Sequence, residues 1–371
     1  MGTAALCVAC YNSAMTAPLA SHVLDEGDYY DYHDVLTYNA PWTFIIGARG
    51  LGKTYGAKKL CIRDFIKNGA QFIYLRRTDV EQKSKGTFFA DVGEAFPDYE
   101  FRVNGAQAEC HYMKDDAKTW HIMGYFIALS QAGGKKSIPY PDVRNIIYDE
   151  VFPDNQQFLS NEVTALEEFY NTVDRWKDKV RLFFLSNAVI KANPYFAKFH
   201  ISLDEQQHDR QEIKAYGGGF IVIQLADYGG FSAKVERSRF GKFLRQYDAD
   251  YADYAINNKF RDDSSTLIMP LDSDEDGYSY TLDTEDYGKF GVWYHLDEDY
   301  QGFLISRRVK KGQQSEYTLD YRHVSETMVY IKRGDPVAQR LANDYRRGRI
   351  RFDDTQIKAD FSMVIGSMLG K

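Results

Sequence analysis

Cysteine is scarce. Only Cys7, Cys10, Cys61 and Cys110 occur in 371 residues, too few for a disulfide-framed fold and suited to a reducing, intracellular setting. Cys7 and Cys10 form a C-x-x-C pair, but no second pair or histidine knuckle follows, so a zinc or redox site is not indicated. Long hydrophobic runs are also missing. No stretch reaches the ~18–20 apolar residues a membrane span needs, and no membrane partner is expected. The small, apolar leader lacks the basic start of a secretory signal, which makes the cytosol the expected location. An excess of positive charge is absent as well: the formal net charge is −7. A chain that coats nucleic acid over its whole surface is thereby excluded, and any polyanion site must be a local cluster. No internal repeat is found.

Aromatic residues are plentiful, at 15% with 28 Tyr and 24 Phe. Tyrosine on this scale either suits large contact surfaces, because a phenol can be half buried and half wet, or reflects the compositional habit of the source genome. The length calls for two domains. Residues 42–46 read as a short buried strand, 55–67 as a helix closed by Asn68-Gly69, and 71–75, 143–148 and 180–185 as further strands. A helix is expected over 162–175. Strands alternating with helices predict an α/β fold, a mostly parallel sheet covered on both faces. After about residue 200 the pattern changes. Residues 251–260 have helical character, short strands are expected at 267–269, 278–282, 290–294 and 303–306, and helices at 337–347 and 354–369. The expected division is a leader (1–27), an α/β domain (28–200), a connector (201–262) and a small α+β domain (263–371). The acidic stretch 272–276 reads as a solvated turn.

The octapeptide Gly47-Ala48-Arg49-Gly50-Leu51-Gly52-Lys53-Thr54 matches G-x-x-x-x-G-K-[ST] and lies between a strand and a helix, the context that motif requires. Its glycines let backbone N–H groups curl around phosphates, and the helix N-terminus faces the same anion. Lys53 is placed to neutralise the β- and γ-phosphates of ATP, and Thr54 to offer a hydroxyl to Mg²⁺. The apolar run Ile146-Ile147-Tyr148 ends in Asp149-Glu150. Asp149 is the expected metal-shell carboxylate and Glu150 the general base for the attacking water. Asn187, ending the next strand in Ser186-Asn187, is a candidate γ-phosphate sensor or a loop cap. Arg175 is a candidate arginine finger reaching a neighbour's phosphate, or a solvated surface arginine. Lys83 and Lys85, in Gln82-Lys83-Ser84-Lys85-Gly86, are candidates for a mobile DNA-contacting loop, or belong to an ordinary solvated loop. Lys135-Lys136 follows Gly133-Gly134 and could serve DNA or a neighbouring site. The most basic stretch contains Lys332, Arg333, Arg340, Arg346, Arg347, Arg349 and Arg351, against only Asp335 and Asp344, and reads either as a partner contact or as a charged helix face with no ligand.

The runs Phe44–Thr54 and Gln71–Arg77 resemble the DNA-encapsidation ATPases of small podophages, P-loop ATPases of the additional-strand catalytic-glutamate class. Asn161–Leu166, Leu185–Val189, Asn193–Phe196, Arg239–Gly241 and Arg349–Asp353 are similar to further segments of that family. The resemblance runs from about Asp28 to the C-terminus, densest in the first half. It implies a homomeric ring, expected to be a pentamer, docked on the portal of a phage prohead and driving double-stranded DNA inward with ATP in the cytoplasm of an infected bacterium. It aligns Arg175 with a trans-acting finger and Lys136 with a lysine acting across the subunit interface. It assigns Arg346, Arg347, Arg349 and Arg351 to contact with a packaging RNA or the portal, and implies a C-terminal domain like a degenerate RNase H-type nuclease without nuclease activity. The longer leader departs from the family, and Val151–Asn155 lacks the basic residues that could grip DNA in relatives. The alternative reading from the two nucleotide motifs alone is a P-loop helicase or DNA-repair ATPase on single strands.

Overall fold

The computed structural model describes residues 26–117, 119–135, 139–153, 158–159, 161–187, 191, 193–256, 267–272, 276–284, 287–296, 301–310, 315–332 and 334–369. Cys7, Cys10 and Lys136 lie outside the described residues.

Two sheets organise these residues. The first holds nine strands: β1 (Trp42–Gly47), β2 (Gln71–Arg76), β3 (Tyr99–Asn104), β4 (Gln107–Tyr112), β5 (His121–Ala128), β6 (Val143–Asp149), β7 (Arg181–Ser186), β8 (Ile213–Tyr216) and β9 (Ile221–Ala226). Their order is β3-β4-β5-β2-β6-β7-β1-β9-β8. From β5 to β9 every pairing is parallel, and the two ends are antiparallel. Strand β7 therefore stands between β1 and β6, the two strands that carry the nucleotide motifs.

Alternation splits the central strands between two cores. Phe44, Ile46, Ile146, Tyr148, Leu182 and Phe184 face one, with Val163, Leu166, Phe169 and Val173 of the helix Glu162–Asp174. Ile45, Ile147, Phe183 and Leu185 face the other, with Ala57, Cys61 and Ile62 of the helix Lys53–Asn68. A strand buried on both faces can be apolar at every position, which is why Trp42–Gly47 reads as an unbroken run.

The connector expected from residue 201 is corrected by β8 and β9. Ile221–Ala226 pairs in parallel with the whole of β1, so the first sheet continues to Ala226. The polar residues just before it, and the break at Gly217-Gly218-Gly219, hide a strand that only the partner β1 makes internal. Three helices follow, Gly229–Arg237, Arg239–Tyr247 and Ala249–Ile256.

The second sheet has order β14-β13-β10-β11-β12-β15, built from β10 (Gly277–Thr284), β11 (Gly288–Leu296), β12 (Gln301–Ser306), β13 (Glu316–Thr318), β14 (Met328–Tyr330) and β15 (Ile350–Phe352). Strands β10 to β12 form an antiparallel meander, and β13 runs parallel to β10. Leu282, Phe290, Val292 and Ile305 pack against Leu341 of the helix Pro336–Arg346 and Phe361 and Ile365 of the helix Thr355–Leu369. The strand expected at 267–269 is reduced to one bridge, Ile268 to Phe352. In the acidic stretch read as solvated, Asp276 is instead buried and hydrogen-bonded to His295.

Candidate nucleotide-binding site

The site is assembled at the carboxyl ends of β1, β2, β6 and β7. Gly50 and Gly52 both have positive φ, +79° and +91°, which turns the chain sharply enough to present its amides ahead of the helix Lys53–Asn68. A Cβ at Gly52 would also lie 3.2 Å from the Tyr29 ring. Two tyrosines fix the loop from behind. The Tyr30 N–H donates to the Leu51 carbonyl at 2.9 Å, and the Tyr32 hydroxyl donates to the Lys53 carbonyl at 2.7 Å. The Arg49 N–H donates to the Ala255 carbonyl at 3.2 Å, tying the loop to the last of the three helices.

Lys53 is buried and donates to the carbonyls of Gly47 and Ala48, each at 2.8 Å, and to Asn187 Oδ1 at 3.2 Å. Burial pushes its ammonium down to about 8, against the opposing pull of Asp149. Thr54 Oγ1 donates to Asp149 Oδ1 at 3.0 Å. A hydroxyl and a carboxylate oxygen at that separation form the hard-oxygen donor set that suits Mg²⁺, so the residues fit the ion. The structure thus brings Lys53, Thr54, Asp149 and Asn187 together. Ser186, next to Asn187, is buried and donates to the Asn187 carbonyl.

Glu150 has a positive φ of 56°, so the chain turns away after β6 and leaves the side chain 65% exposed at the tip. Arg76 at the end of β2 donates to Glu150 Oε2 at 2.5 Å and lies 3.6 Å from Asp149 Oδ2. The Tyr74 hydroxyl donates to Asp149 Oδ2 at 2.6 Å, and burial, together with that carboxylate, holds the phenol protonated. Behind this layer, Arg77 forms a buried pair with Glu162, Nε to Oε2 at 2.8 Å, and donates to the Val151 carbonyl at 2.6 Å. Tyr148 and Tyr195 both donate to Glu162 Oε1 at 2.8 Å. Sequence reasoning assigned no role to Tyr74, Arg76, Arg77 or Glu162. The available signal was a pair of arginines ending a strand that leads toward the site.

Arg175 stands at the C-terminal end of the helix Glu162–Asp174, exposed, with a φ of 55°. Lys83 is exposed and Lys85 half-buried, but their segment is a 3-10 helix, Glu81–Thr87, not a loose loop. The reason is Gln82, whose buried amide donates to the carbonyls of Tyr74 and Ile127 at 3.2 and 2.8 Å. Arg346, Arg347 and Arg349 are exposed around the turn into β15, and Arg351 is partly buried.

A profile of the podovirus DNA encapsidation protein (Gp16) family matches residues 24–365. The chain belongs to that family. The DNA packaging protein of Bacillus phage phi29 is 32% identical over 340 residues, covering 90% of this chain and 96% of that protein. The DNA packaging protein of Bacillus phage B103 is 32% identical over 324 residues, covering 86% and 95%. A chain of the bacteriophage phi29 viral genome packaging motor assembly superposes with a TM-score of 0.69 at 29% identity, covering 92% of this chain and 99% of that one. Family membership and the β1–β7–β6 order agree with the additional-strand ATPase fold that the family resemblance implies.

The second sheet also brings carboxylates near one another. Asp283 Oδ2 accepts from Thr318 Oγ1 at 3.0 Å and is 2.6 Å from His323 Nδ1. Asp320 is paired with the Arg322 guanidinium, Nε to Oδ1 at 2.9 Å and Nη2 to Oδ2 at 2.7 Å. Among the described residues no group of three or more His, Cys, Asp or Glu could hold a metal ion.

Proposed function

We propose that the chain hydrolyses Mg·ATP and uses the energy to move double-stranded viral DNA into a preformed capsid, as a homomeric ring, a pentamer by family analogy, docked at the portal in the cytoplasm of an infected bacterium. The observation that carries this reading is the placement of Lys53 on a glycine-turned loop and of Thr54 on Asp149, with Glu150 next in the chain, in a chain that aligns with phage DNA packaging proteins along nine-tenths of its length.

The chemistry follows from those positions. Residues 47–54 hold the phosphates through backbone N–H groups, and Lys53 exchanges the Gly47 and Ala48 carbonyls for β- and γ-phosphate oxygens. Thr54 and Asp149 would hold Mg²⁺, which when bound supplies positive charge to the phosphate oxygens. Glu150 accepts the proton of the attacking water. Its carboxylate first has to leave Arg76, so hydrolysis depends on that bond opening. Asn187, already on Lys53, is placed to register the γ-phosphate. Arg175 acts on the phosphate bound by the next copy in the ring. Lys83 and Lys85 contact DNA phosphates without reading bases, as packaging a whole genome requires; Lys136 serves DNA or the neighbouring site. Arg346, Arg347, Arg349 and Arg351 face a packaging RNA or the portal. No nuclease activity is expected.

The test is steady-state phosphate release by the full chain with proheads and DNA. Turnover should rise sharply on adding both and fall by roughly 10²–10⁴ in Glu150→Gln, with nucleotide binding retained. Turnover that responds to single strands and accompanies duplex unwinding would replace this reading with a helicase.

A further inference from the structure

The turn that carries Arg175 is built in an unusual way. Three non-glycine residues in it, Arg175, Trp176 and Asp178, have positive φ, 55°, 57° and 51°. Each such residue is strained on its own. One carboxylate closes the turn around them. Asp174 Oδ2 accepts the N–H of Lys177 at 2.9 Å and of Asp178 at 3.1 Å, and Oδ1 accepts that of Lys179 at 2.8 Å and of Val180 at 3.1 Å. Burial opposes the Asp174 charge, yet the four backbone donors hold its pKa below the usual carboxylate range. The chain is wound around an anion, and the side chains of residues 175–178 are exposed.

Trp176 is one of them, at 87% exposure. Of the four tryptophans in the chain, Trp42 and Trp293 are buried and Trp120 is partly covered, with the Arg102 guanidinium 4.0 Å from its ring. A soluble protein rarely leaves an indole in water without a use for it, and tryptophan is over-represented among the few residues that dominate interfaces. Here it adjoins the arginine read as acting on another subunit.

We propose that residues 174–180 form a preformed intersubunit tip: Asp174 winds it, Trp176 docks on the neighbouring copy of this chain, and that contact sets the position of Arg175. The proposal rests on the ring and finger reading of Arg175. Its occupant is a second copy because Trp176 adjoins Arg175, the residue read as acting on the phosphate of the next copy. A tip received by a different surface of the next molecule is a heterologous contact, the kind from which rings are built. Asp174 and Trp176 are positioning residues, with Arg175 the group that reaches the phosphate. Winding the tip in advance spares the ordering cost at the moment of contact.

The experiment uses the full chain assembled on proheads, with p-benzoylphenylalanine replacing Trp176. Irradiation should join two copies of this chain. A crosslink to DNA or a capsid protein, or none, overturns the proposal. Kinetics supply the second measurement. Trp176→Ala, an exposed substitution that leaves the fold intact, should lower kcat of the assembled motor roughly tenfold or more with KM for ATP nearly unchanged, and Trp176→Phe should restore most of it. Asp174→Asn should act in the same direction, and Lys53→Ala subunits with an intact tip should partly rescue Trp176→Ala subunits in mixed rings. Unchanged turnover in Trp176→Ala counts against the tip. Arg175→Ala separates the two ideas: a persisting copy-to-copy crosslink with normal hydrolysis removes the finger role and leaves the docking contact standing.

Discussion

The two sheets each gather carboxylates and bury an aspartate, but the first also leaves a neighbouring acid exposed. At the end of the first, Asp149 and Glu150 are met by a hydroxyl, a phenol, an arginine and an ammonium held nearby, groups that can change partners, and Glu150 projects into solvent. In the second, Asp283 and Asp320 are 6% and 2% exposed as side chains and are occupied by Thr318, His323 and Arg322. A carboxylate does chemistry when its counter-groups are exchangeable and its front is accessible. Satisfied on all sides, it becomes a structural element. Counting acidic residues cannot separate the two cases; the identity and mobility of their partners can.

The comparison is open to attack by mutation. The largest expected effect lies just behind the first pair. Glu162→Ala leaves the Arg77 cation buried without its partner and should cost about 3–5 kcal/mol, read as a lower urea midpoint; a loss below about 1 kcal/mol would mean that the Arg77–Glu162 pair does not hold β2 against the helix. Next, Arg322→Ala strips the charged hydrogen bonds from buried Asp320 and should cost about 1.5–3 kcal/mol, with Mg·ATP affinity unchanged. Because Arg322 holds Asp320 below the usual carboxylate range, the stabilisation is present at neutral pH and is lost as the pH falls through that lowered value. The difference between wild type and Arg322→Ala should therefore shrink in acid. DNA cleavage appearing in Arg322→Ala would show that the second pair is a latent site.

A smaller effect follows from Lys53. Its free-state pKa near 8 means the ammonium is mostly protonated at pH 7 and mostly neutral at pH 9, whereas bound phosphates favour the charged form. Nucleotide binding should then take up almost no proton at pH 7 and about one per site at pH 9, so affinity weakens as pH rises. Calorimetry in buffers of different ionisation enthalpy measures this directly; equal uptake at both values would place the lysine elsewhere in the free protein. The smallest change concerns DNA grip. Removing both Lys83 and Lys85 should flatten the log-affinity against log-salt slope by about one to two, with basal hydrolysis intact. An unchanged slope assigns the grip to other residues.

Much of the nucleotide site was legible because its signals are local. A buried strand, a glycine turn and a helix are contiguous in sequence, and an acidic tip on an apolar strand needs no partner to be noticed. The 28 tyrosines were harder to interpret. They read as material for external contacts, yet Tyr30, Tyr32, Tyr74, Tyr148 and Tyr195 each place a hydroxyl on a buried acceptor around the site. Arg76 and Arg77 are adjacent in sequence, but alternation along the strand sends one to Glu150 and the other to Glu162. The polar residues and the glycine break before β9 hid that strand and made the connector look longer than it is.

What the sequence determined alone was the phosphate loop, its lysine and hydroxyl, the acidic strand tip and the α/β class, since each depends on backbone conformation or periodicity within a few consecutive residues. The tertiary structure decided the rest: that β7 separates the two motif strands, that β9 extends the first sheet, that Arg76 holds Glu150, and that Asp174 winds the exposed Arg175–Trp176 turn. Those features come from groups distant in sequence or from the competition of several donors for one carboxylate. Such competition is settled only when the packed chain fixes which group arrives within hydrogen-bonding distance.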